Sequence, residues 1–359
     1  MSNNTVAVLP GDGIGPEVTR AAARVLSAVR PDLECVEALV GAAALSKGLP
    51  PLPPETRSLC DRSVAILFGS VGLPQYDGRP LKERPEYALF LLRRDYELYA
   101  NIRPVRVFSG LEQASSLRKE LIEGLDLVVV RELTGGIYFG KPKEIRVEEG
   151  VEVAVDTMVY RAPEIERIAR IAFELARGRR RLVTSIDKQN ILESSRLWRR
   201  VTTRIAAEYP DIRLEHLLVD NAAMQLVREP RAFDVILTEN MFGDILSDEA
   251  AILTGSIGNL PSASLGAARD GRQFGLYEPI SGSAPDIAGK GVANPVAAIL
   301  SAAMLLRISL DDEMGASRVE DAVGTAIAAG ARTADLVHDG ERSLSTDAFT
   351  ERVLQALSG

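Results

Sequence analysis

Short apolar runs alternate with amphipathic stretches along the whole chain, and that alternation predicts an α/β protein. Val6-Ala-Val-Leu9, Ser63-Val-Ala-Ile-Leu-Phe-Gly69, Leu127-Val-Val-Val130, Arg181-Leu-Val-Thr-Ser-Ile186, Asp234-Val-Ile-Leu-Thr238 and Gly275-Leu-Tyr-Glu-Pro-Ile280 read as buried strands, because their apolar residues are continuous. Helical spacing follows Pro16, with Val18, Ala22, Val25, Leu26 and Val29 on one face. Further helices are predicted over Arg84–Arg94, over Pro163–Arg177, through Trp198 to about Glu208 and from Asp220 onward. Asn294 and Pro295 cap and start an almost wholly apolar helix, Val296 to Leu306, which must be buried. The C-terminal part reads as two more helices. Residues 141–160 behave differently. Ile145, Val147, Val151, Val153 and Val155 alternate with polar residues around Glu148-Glu-Gly150, which predicts a hairpin arm able to pair with another subunit. Residues 48–57 read as a Pro-rich loop, and 253–266 and 281–294 as loops of small residues.

Composition narrows the function. The 359 residues are 46% hydrophobic and 26% charged, an ordinary globular balance at a length suited to two domains or lobes. A net charge of −8 argues against nucleic acid and anionic membrane surfaces as partners. The basic run Arg177-Gly-Arg-Arg-Arg181 reads as the end of a helix, near its negative pole. Local arginines still leave room for a small anionic substrate. No apolar run reaches membrane-spanning length, and the chain enters a strand without a signal peptide, so a cytoplasmic protein is expected. Cys35 and Cys60 lack metal or redox spacing and read as buried thiols in a reducing compartment.

The candidate chemistry gathers at strand ends. After Asp234–Thr238 the chain is expected to turn at Gly243 and open a helix. Asp244 and Asp248, four apart, then project from one face. Like charges at that spacing destabilise a bare helix by a few tenths of a kcal/mol, about 0.2–0.5. Either both carboxylates are solvated, with Asp244 as the N-cap, or a hard dication such as Mg²⁺ or Mn²⁺ holds them. Arg93, Arg103 and Arg131 lie at helix and strand ends. They form a polycarboxylate receptor if they converge, and are surface charges if they do not. Tyr138 sits in a Gly-flanked turn. Lys188 is a surface lysine or, with a lowered pKa, a base. Asp220 reads equally as an N-cap. The glycines after the first strand fail the dinucleotide fingerprint, which needs Gly at 11, 13 and 16 where the chain has Pro16. A Rossmann site is therefore excluded. The turn brings backbone to a ligand or is structural. The loop 281–294 would let backbone approach a flat ligand, with Asp286 free to take a ribose diol.

Four segments together, Leu9-Pro-Gly-Asp-Gly-Ile-Gly-Pro-Glu17, Arg131-Glu-Leu-Thr-Gly-Gly-Ile-Tyr-Phe-Gly140, Asn240-Met-Phe-Gly-Asp-Ile-Leu-Ser-Asp248 and Gly282-Ser-Ala-Pro-Asp-Ile-Ala-Gly-Lys-Gly291, resemble the isocitrate/isopropylmalate dehydrogenase family of β-decarboxylating dehydrogenases. The match runs in order from residue 5 to the C-terminus. It implies a non-Rossmann α/β fold of two domains around a large mixed sheet. A nucleotide-binding domain would comprise residues 1–100 and 256–359. An inserted dimerisation and catalytic domain would span 101–255, with its arm near 141–160.

The activity implied is NAD-dependent oxidation of a hydroxy-dicarboxylate at C2, loss of CO₂ and protonation at C3. Arg93, Arg103 and Arg131 would bind the carboxylates, Lys188 would accept the hydroxyl proton directly or through Asp220, and Tyr138 would deliver the C3 proton. One Mg²⁺ or Mn²⁺ per subunit would be held by Asp220, Asp244 and Asp248. Lys188 and Asp220 would reach into the partner's site, making a homodimer with shared active sites. The cofactor site would use Ile14, Gly72, Leu73, Glu86, Gly282, Ser283, Ala284, Pro285, Asp286, Ile287 and Asn294. Asp286-Ile287 favours NAD, since a carboxylate repels a 2′-phosphate. Leu89, Phe90 and Ile191, with Tyr87, form an apolar wall suited to an isopropyl group and hostile to a third carboxylate. Phe90 stands where leucine is usual, which predicts a tighter pocket or one shaped for D-malate or another alkylmalate; a homoisocitrate enzyme of the same family is a further alternative. Ser281 replaces a frequent histidine, which predicts weaker NAD binding. A non-catalytic regulatory subunit is the alternative of another class, and the retention of Tyr138, Lys188 and the three aspartates argues against it.

Overall fold

The computed structural model describes residues 4–269, 271–337 and 341–358. Its strands are, in chain order, β1 (Thr5–Gly11), β2 (Glu34–Glu37), β3 (Ala65–Ser70), β4 (Ala100–Arg106), β5 (Asp126–Glu132), β6 (Lys143–Glu148), β7 (Val151–Asp156), β8 (Leu182–Asp187), β9 (Arg213–Leu218), β10 (Val235–Thr238), β11 (Pro261–Arg269) and β12 (Arg272–Pro279). The chain divides into two units. Residues 1–98, 106–124 and 251–359 form the first, and 99–105 and 125–250 the second. Ten of these strands form one sheet of mixed sense and β6 and β7 a second, which agrees with the α/β fold around a large mixed sheet that the family resemblance implies.

In the first unit the strand order is β2-β1-β3-β12-β11. β1 pairs in parallel with β2 and β3, β3 in parallel with β12, and β11 antiparallel to β12. Helix Val296–Ser309 packs against β11, β12 and helix Gly15–Val29 and is buried on nearly every face, as its unbroken apolar sequence requires. Its N-cap is Pro295, not Asn294 as expected, and the Val296 amide donates to Asn294 Oδ1 at 3.0 Å. The second unit orders its strands β4-β5-β10-β8-β9, with β5, β10, β8 and β9 parallel in turn. Helices Ala162–Arg177 and Glu193–Ala206 pack on each other and on this sheet through apolar stripes that include Phe173 and Trp198. Full burial of each such side chain contributes about 1.5–3 kcal/mol. The β6–β7 hairpin forms its own two-stranded sheet and exposes Ile145, Val147 and Val151.

Several local expectations change. The Pro-rich stretch becomes helix Pro54–Asp61 after residue 53, because Pro54 fits the first helical turn. The helix expected from Arg84 begins at Tyr87. Residues 261–266 of the predicted loop 253–266 belong to strand β11, whose small buried residues carry no period-2 signal. Cys60 is buried, and burial pushes its thiol up to about 12, whereas Cys35 is only half-buried. No helix among the described residues is long and apolar enough to cross a membrane.

Candidate active site

Arg131 and Thr238 are register partners on the parallel strands β5 and β10. The helix that follows β10 opens at Asn240, not at Gly243. Glu239 caps it, its carboxylate accepting from the Phe242 amide at 2.7 Å and the Met241 amide at 3.2 Å. Asp244 therefore lies inside the helix and is not its N-cap. Gly243 is helical for a packing reason, since a Cβ there would stand 2.7 Å from Arg131 Cγ and 2.8 Å from Thr238 Cγ2. The first turns carry Asp244 back over Arg131, whose Nη1 donates to Asp244 Oδ1 at 2.5 Å. Arg103 on β4 donates through Nη1 to Ser247 Oγ at 2.6 Å and to Asp248 Oδ1 at 3.2 Å, and its Nη2 lies 3.7 Å from Asp244 Oδ1. The two guanidinium groups are almost fully buried, at 8% and 4% exposure, while the Asp244 and Asp248 side chains remain 37% and 60% open. Two buried cations thus offset the repulsion between the helix-face carboxylates. Burial, and secondarily Asp244, push the Asp248 carboxyl up, against the pull of Arg103.

Tyr138 ends a 3-10 turn, Gly136–Tyr138, and its hydroxyl donates to Asp244 Oδ2 at 3.1 Å. Burial, then the Asp244 charge, push the phenol above its ordinary value, so it keeps its proton at neutral pH. Lys188 follows β8, and its Nζ donates to Asp220 Oδ1 at 2.6 Å. That contact holds the Asp220 carboxyl below its ordinary value. Asp220 lies in the first turn of helix Val219–Arg228, whose N-cap is Leu218, so the N-cap reading of Asp220 is corrected. Ser195 Oγ accepts from the Lys188 amide at 3.0 Å and Asp187 from Arg199 at 2.7 Å, which fixes this strand end. Ile191 stands nearby in sequence and is 67% exposed.

A supporting shell was not anticipated from the sequence. Tyr160, buried edge-on against Trp198, donates to Glu239 Oε2 at 3.1 Å and accepts from the Asn240 amide at 2.9 Å. Glu132, fully buried, accepts from the Thr134 amide and hydroxyl and from the Gly135 amide. Burial raises the carboxyls of both Glu132 and Glu239. The available signal was Gly135-Gly136. A Cβ at either would fall within 2.7 Å of the Tyr160 ring or hydroxyl.

The remaining candidates lie in the first unit. The turn after β1 docks on the loop after β12: the Ile14 amide donates to the Ser283 carbonyl at 2.8 Å, and a Cβ on Gly13 would overlap that carbonyl. Asp12, buried, accepts from the amides of Ala42, Ala43 and Gly72 at 2.9–3.0 Å, tying three loops together. Gly72, at φ +123°, brings its backbone against Glu86, where a Cβ would lie 2.7 Å from Oε1. Leu73 and Ile287 are half-buried, whereas Gly282, Pro285 and Asp286 are exposed, and Ala284 holds a positive φ of 39°. The Asn294 amide group donates to Asn259 at 2.9 Å and Asp335 at 3.0 Å, so its side chain is committed within the chain. Arg93 pairs with Glu278 at 3.1 Å. Leu89 packs on the core of this unit, and Phe90 stacks on Tyr87 with ring centroids 5.6 Å apart.

Asp244 and Asp248 offer hard oxygen donors on one helix face, the donor chemistry that Mg²⁺ or Mn²⁺ takes. Among the described residues no group of three or more acidic, His or Cys side chains gathers to hold a metal. Within this chain, therefore, Asp220 does not join Asp244 and Asp248, and the helix-face pair supplies two of the three expected ligands.

Buried arginines under open carboxylates, with a protonated phenol beside them, gather at the end of a parallel sheet in an α/β protein. Residues 5–353 match the isocitrate/isopropylmalate dehydrogenase family, and the chain belongs to it. The 3-isopropylmalate dehydrogenase of Geobacillus kaustophilus is 54% identical over 99% of this chain and 96% of its own length. That of Bacillus subtilis is 54% identical over 98% of this chain and 96% of its own length. Among solved structures, isocitrate dehydrogenase from Methylococcus capsulatus superposes with a TM-score of 0.88 at 34% identity, covering 99% of this chain and 100% of that one. A β-decarboxylating dehydrogenase from Thermococcus kodakarensis does so with a TM-score of 0.79 at 36% identity, covering 99% and 96%.

Proposed function

We propose that this chain catalyses the NAD-dependent oxidative decarboxylation of (2R,3S)-3-isopropylmalate to 2-oxoisocaproate and CO₂, a step of leucine biosynthesis, as a cytoplasmic homodimer. The observation that carries the reading is 54% identity, over nearly the full length, to proteins named for that reaction. The cluster of Arg103, Arg131, Asp244, Asp248 and Tyr138 supports it.

Arg103 and Arg131 present buried forks to the substrate carboxylates, with Arg93 as the third, and bidentate pairing sets the substrate's orientation. Lys188, positioned by Asp220, takes the C2 hydroxyl proton. Tyr138, kept protonated by burial and by Asp244, gives its proton to C3 after CO₂ has left. Leu89 and Phe90 would offer apolar surface to the alkyl group, as would the exposed Ile191, and an apolar wall disfavours a third, unpaired carboxylate. When bound, NAD⁺ supplies a hydride acceptor beside Ile14, Gly72, Leu73, Glu86, residues 282–287 and Asn294, and Mg²⁺ or Mn²⁺ held by Asp220, Asp244 and Asp248 supplies Lewis acidity. Asp220 and Lys188 are lent by the second protomer.

The Tyr87–Phe90 stack favours a second reading, a smaller alkylmalate or D-malate, because it stiffens the helix face that would meet the alkyl group. Product analysis tests the primary reading. Incubation with 3-isopropylmalate and NAD⁺ is expected to yield NADH, CO₂ and 2-oxoisocaproate in equal amounts. NADH without CO₂, or no turnover, would sink it.

A further inference from the structure

We propose that Asn240 is a positioning residue that fixes Arg131 against the turn bearing Tyr138 without neutralising the arginine. Asn240 is fully buried at the junction of β10 and its helix. Its Oδ1 accepts from Arg131 Nε at 3.1 Å and from Arg131 Nη2 at 2.7 Å. Its Nδ2 donates to the Gly135 carbonyl at 3.1 Å, one residue before the Gly136–Tyr138 turn. Its own amide donates to the Tyr160 hydroxyl, which Glu239 anchors. One side chain therefore ties the substrate-facing cation to the segment carrying the proton donor.

The two ends of the amide do different work, and the orientation is forced. Turned over, the NH₂ group would face two guanidinium N–H donors, and the oxygen would face a carbonyl. A buried guanidinium edge is ordinarily met by a carboxylate. Here the Nε/Nη2 edge meets a neutral amide, while Nη1 meets Asp244. A carboxylate at position 240 would hold the arginine as well. It would, however, place a second negative charge on it and could not donate to Gly135. The amide orients the fork and leaves its charge to Asp244 and to an incoming carboxylate. This inference rests on the proposed function in one respect, that an anionic group of the substrate comes to Arg131.

The test compares Asn240→Asp with Asn240→Ser. Aspartate preserves size and acceptor but loses the donor, and serine loses the reach of the amide but adds no charge. KM for the dicarboxylate should rise at least about tenfold in Asn240→Asp and less in Asn240→Ser, with KM for NAD⁺ changed less than about twofold in either. Calorimetric titration of the dicarboxylate should rank the variants in the same order. A merely structural role predicts parallel rises in KM for the dicarboxylate and for NAD⁺, because a loosened fold spares neither. Equal or smaller KM effects in Asn240→Asp overturn the inference. Thermal melts establish folding. If Asn240→Asp does not fold, Asn240→Ser decides alone: a rise confined to the dicarboxylate KM supports the inference, and a parallel rise in both KM values overturns it. Wild-type turnover of 3-isopropylmalate tests the functional reading separately. Should that fail, the variants are titrated with whichever of malate, tartrate or isocitrate the wild type binds, and binding of none overturns both.

Discussion

Tyr138 donates its phenolic hydrogen to the same aspartate, Asp244, whose other oxygen is gripped by the buried fork of Arg131. The candidate acid and the candidate carboxylate receptor are thus coupled through one side chain that is 106 residues from Tyr138 and 113 from Arg131 in sequence. The candidate proton donor on its 3-10 turn, the candidate anion receptor at the end of β5 and two candidate cation ligands on the helix after β10 meet around this one carboxylate.

Tyr138→Phe keeps the ring and removes the hydroxyl, and with it both the hydrogen bond to Asp244 and the proton that the proposal assigns to C3. General acid catalysis contributes about 10²–10⁴-fold, so kcat should fall by at least about 100-fold. The melting temperature should barely move, since the ring is 40% exposed. Steady-state kinetics beside a thermal melt checks this. A kcat within threefold of wild type would remove Tyr138 from the chemistry.

Arg131→Met preserves the stem that Gly243 packs against and deletes the fork. Losing one member of a buried charged pair costs about 2–5 kcal/mol. At about 1.4 kcal/mol per tenfold, kcat/KM for the dicarboxylate should drop about thirtyfold or more. The effect should appear mainly in KM for that substrate. An unchanged KM would show that the carboxylates bind elsewhere.

The apolar sequence pattern revealed β5, β8 and β10 because strands buried on both faces read as continuous runs. It missed β11, built at its start from Pro261, Ser262, Ala263 and Ser264, and β2, four residues with a charge at each end. Sequence spacing put Asp244 and Asp248 on one helix face. It could not reveal that Arg103 and Arg131 lie beneath them, because that depends on the strand register between Thr238 and Arg131. Gly243 misled the reading of the helix start for the same reason: the glycine answers to the arginine stem, and not to a turn. Glu239, Tyr160 and Asn240 went unread because buried polar residues carry no periodicity.

Glu239 supplies a pH-dependent test of the shell. Burial pushes its carboxyl above the ordinary value of 4.5, against hydrogen bonds from Phe242, Met241 and Tyr160. A carboxyl raised in the folded state contributes stability below its unfolded value, and that contribution is lost as pH rises through the folded value. Tm of wild type minus Tm of Glu239→Gln should therefore decline as pH rises from about 4.5. Thermal melts of both proteins across that range give the answer. A difference that grows with pH would mean the folded state favours the charged form.

The proposed lending of Lys188 and Asp220 between protomers predicts complementation. Lys188→Ala and Asp248→Asn should each be nearly inactive as homodimers. Co-expressed with different tags, they would pair into hybrids in which one site carries both lesions and the other none. With statistical pairing in a two-fold dimer, about a quarter of wild-type activity should return. Purified hybrids with no activity would place Lys188 and Asp248 in the site of a single protomer.

The most direct measurement is kcat/KM with NAD⁺ for 3-isopropylmalate, D-malate, tartrate, isocitrate and homoisocitrate, each with and without a chelator. The account predicts that 3-isopropylmalate leads the panel, that NADP⁺ substitutes poorly, and that the chelator abolishes turnover until Mg²⁺ or Mn²⁺ is restored. A tenfold preference for any rival acid, or full activity in the chelator, would contradict it.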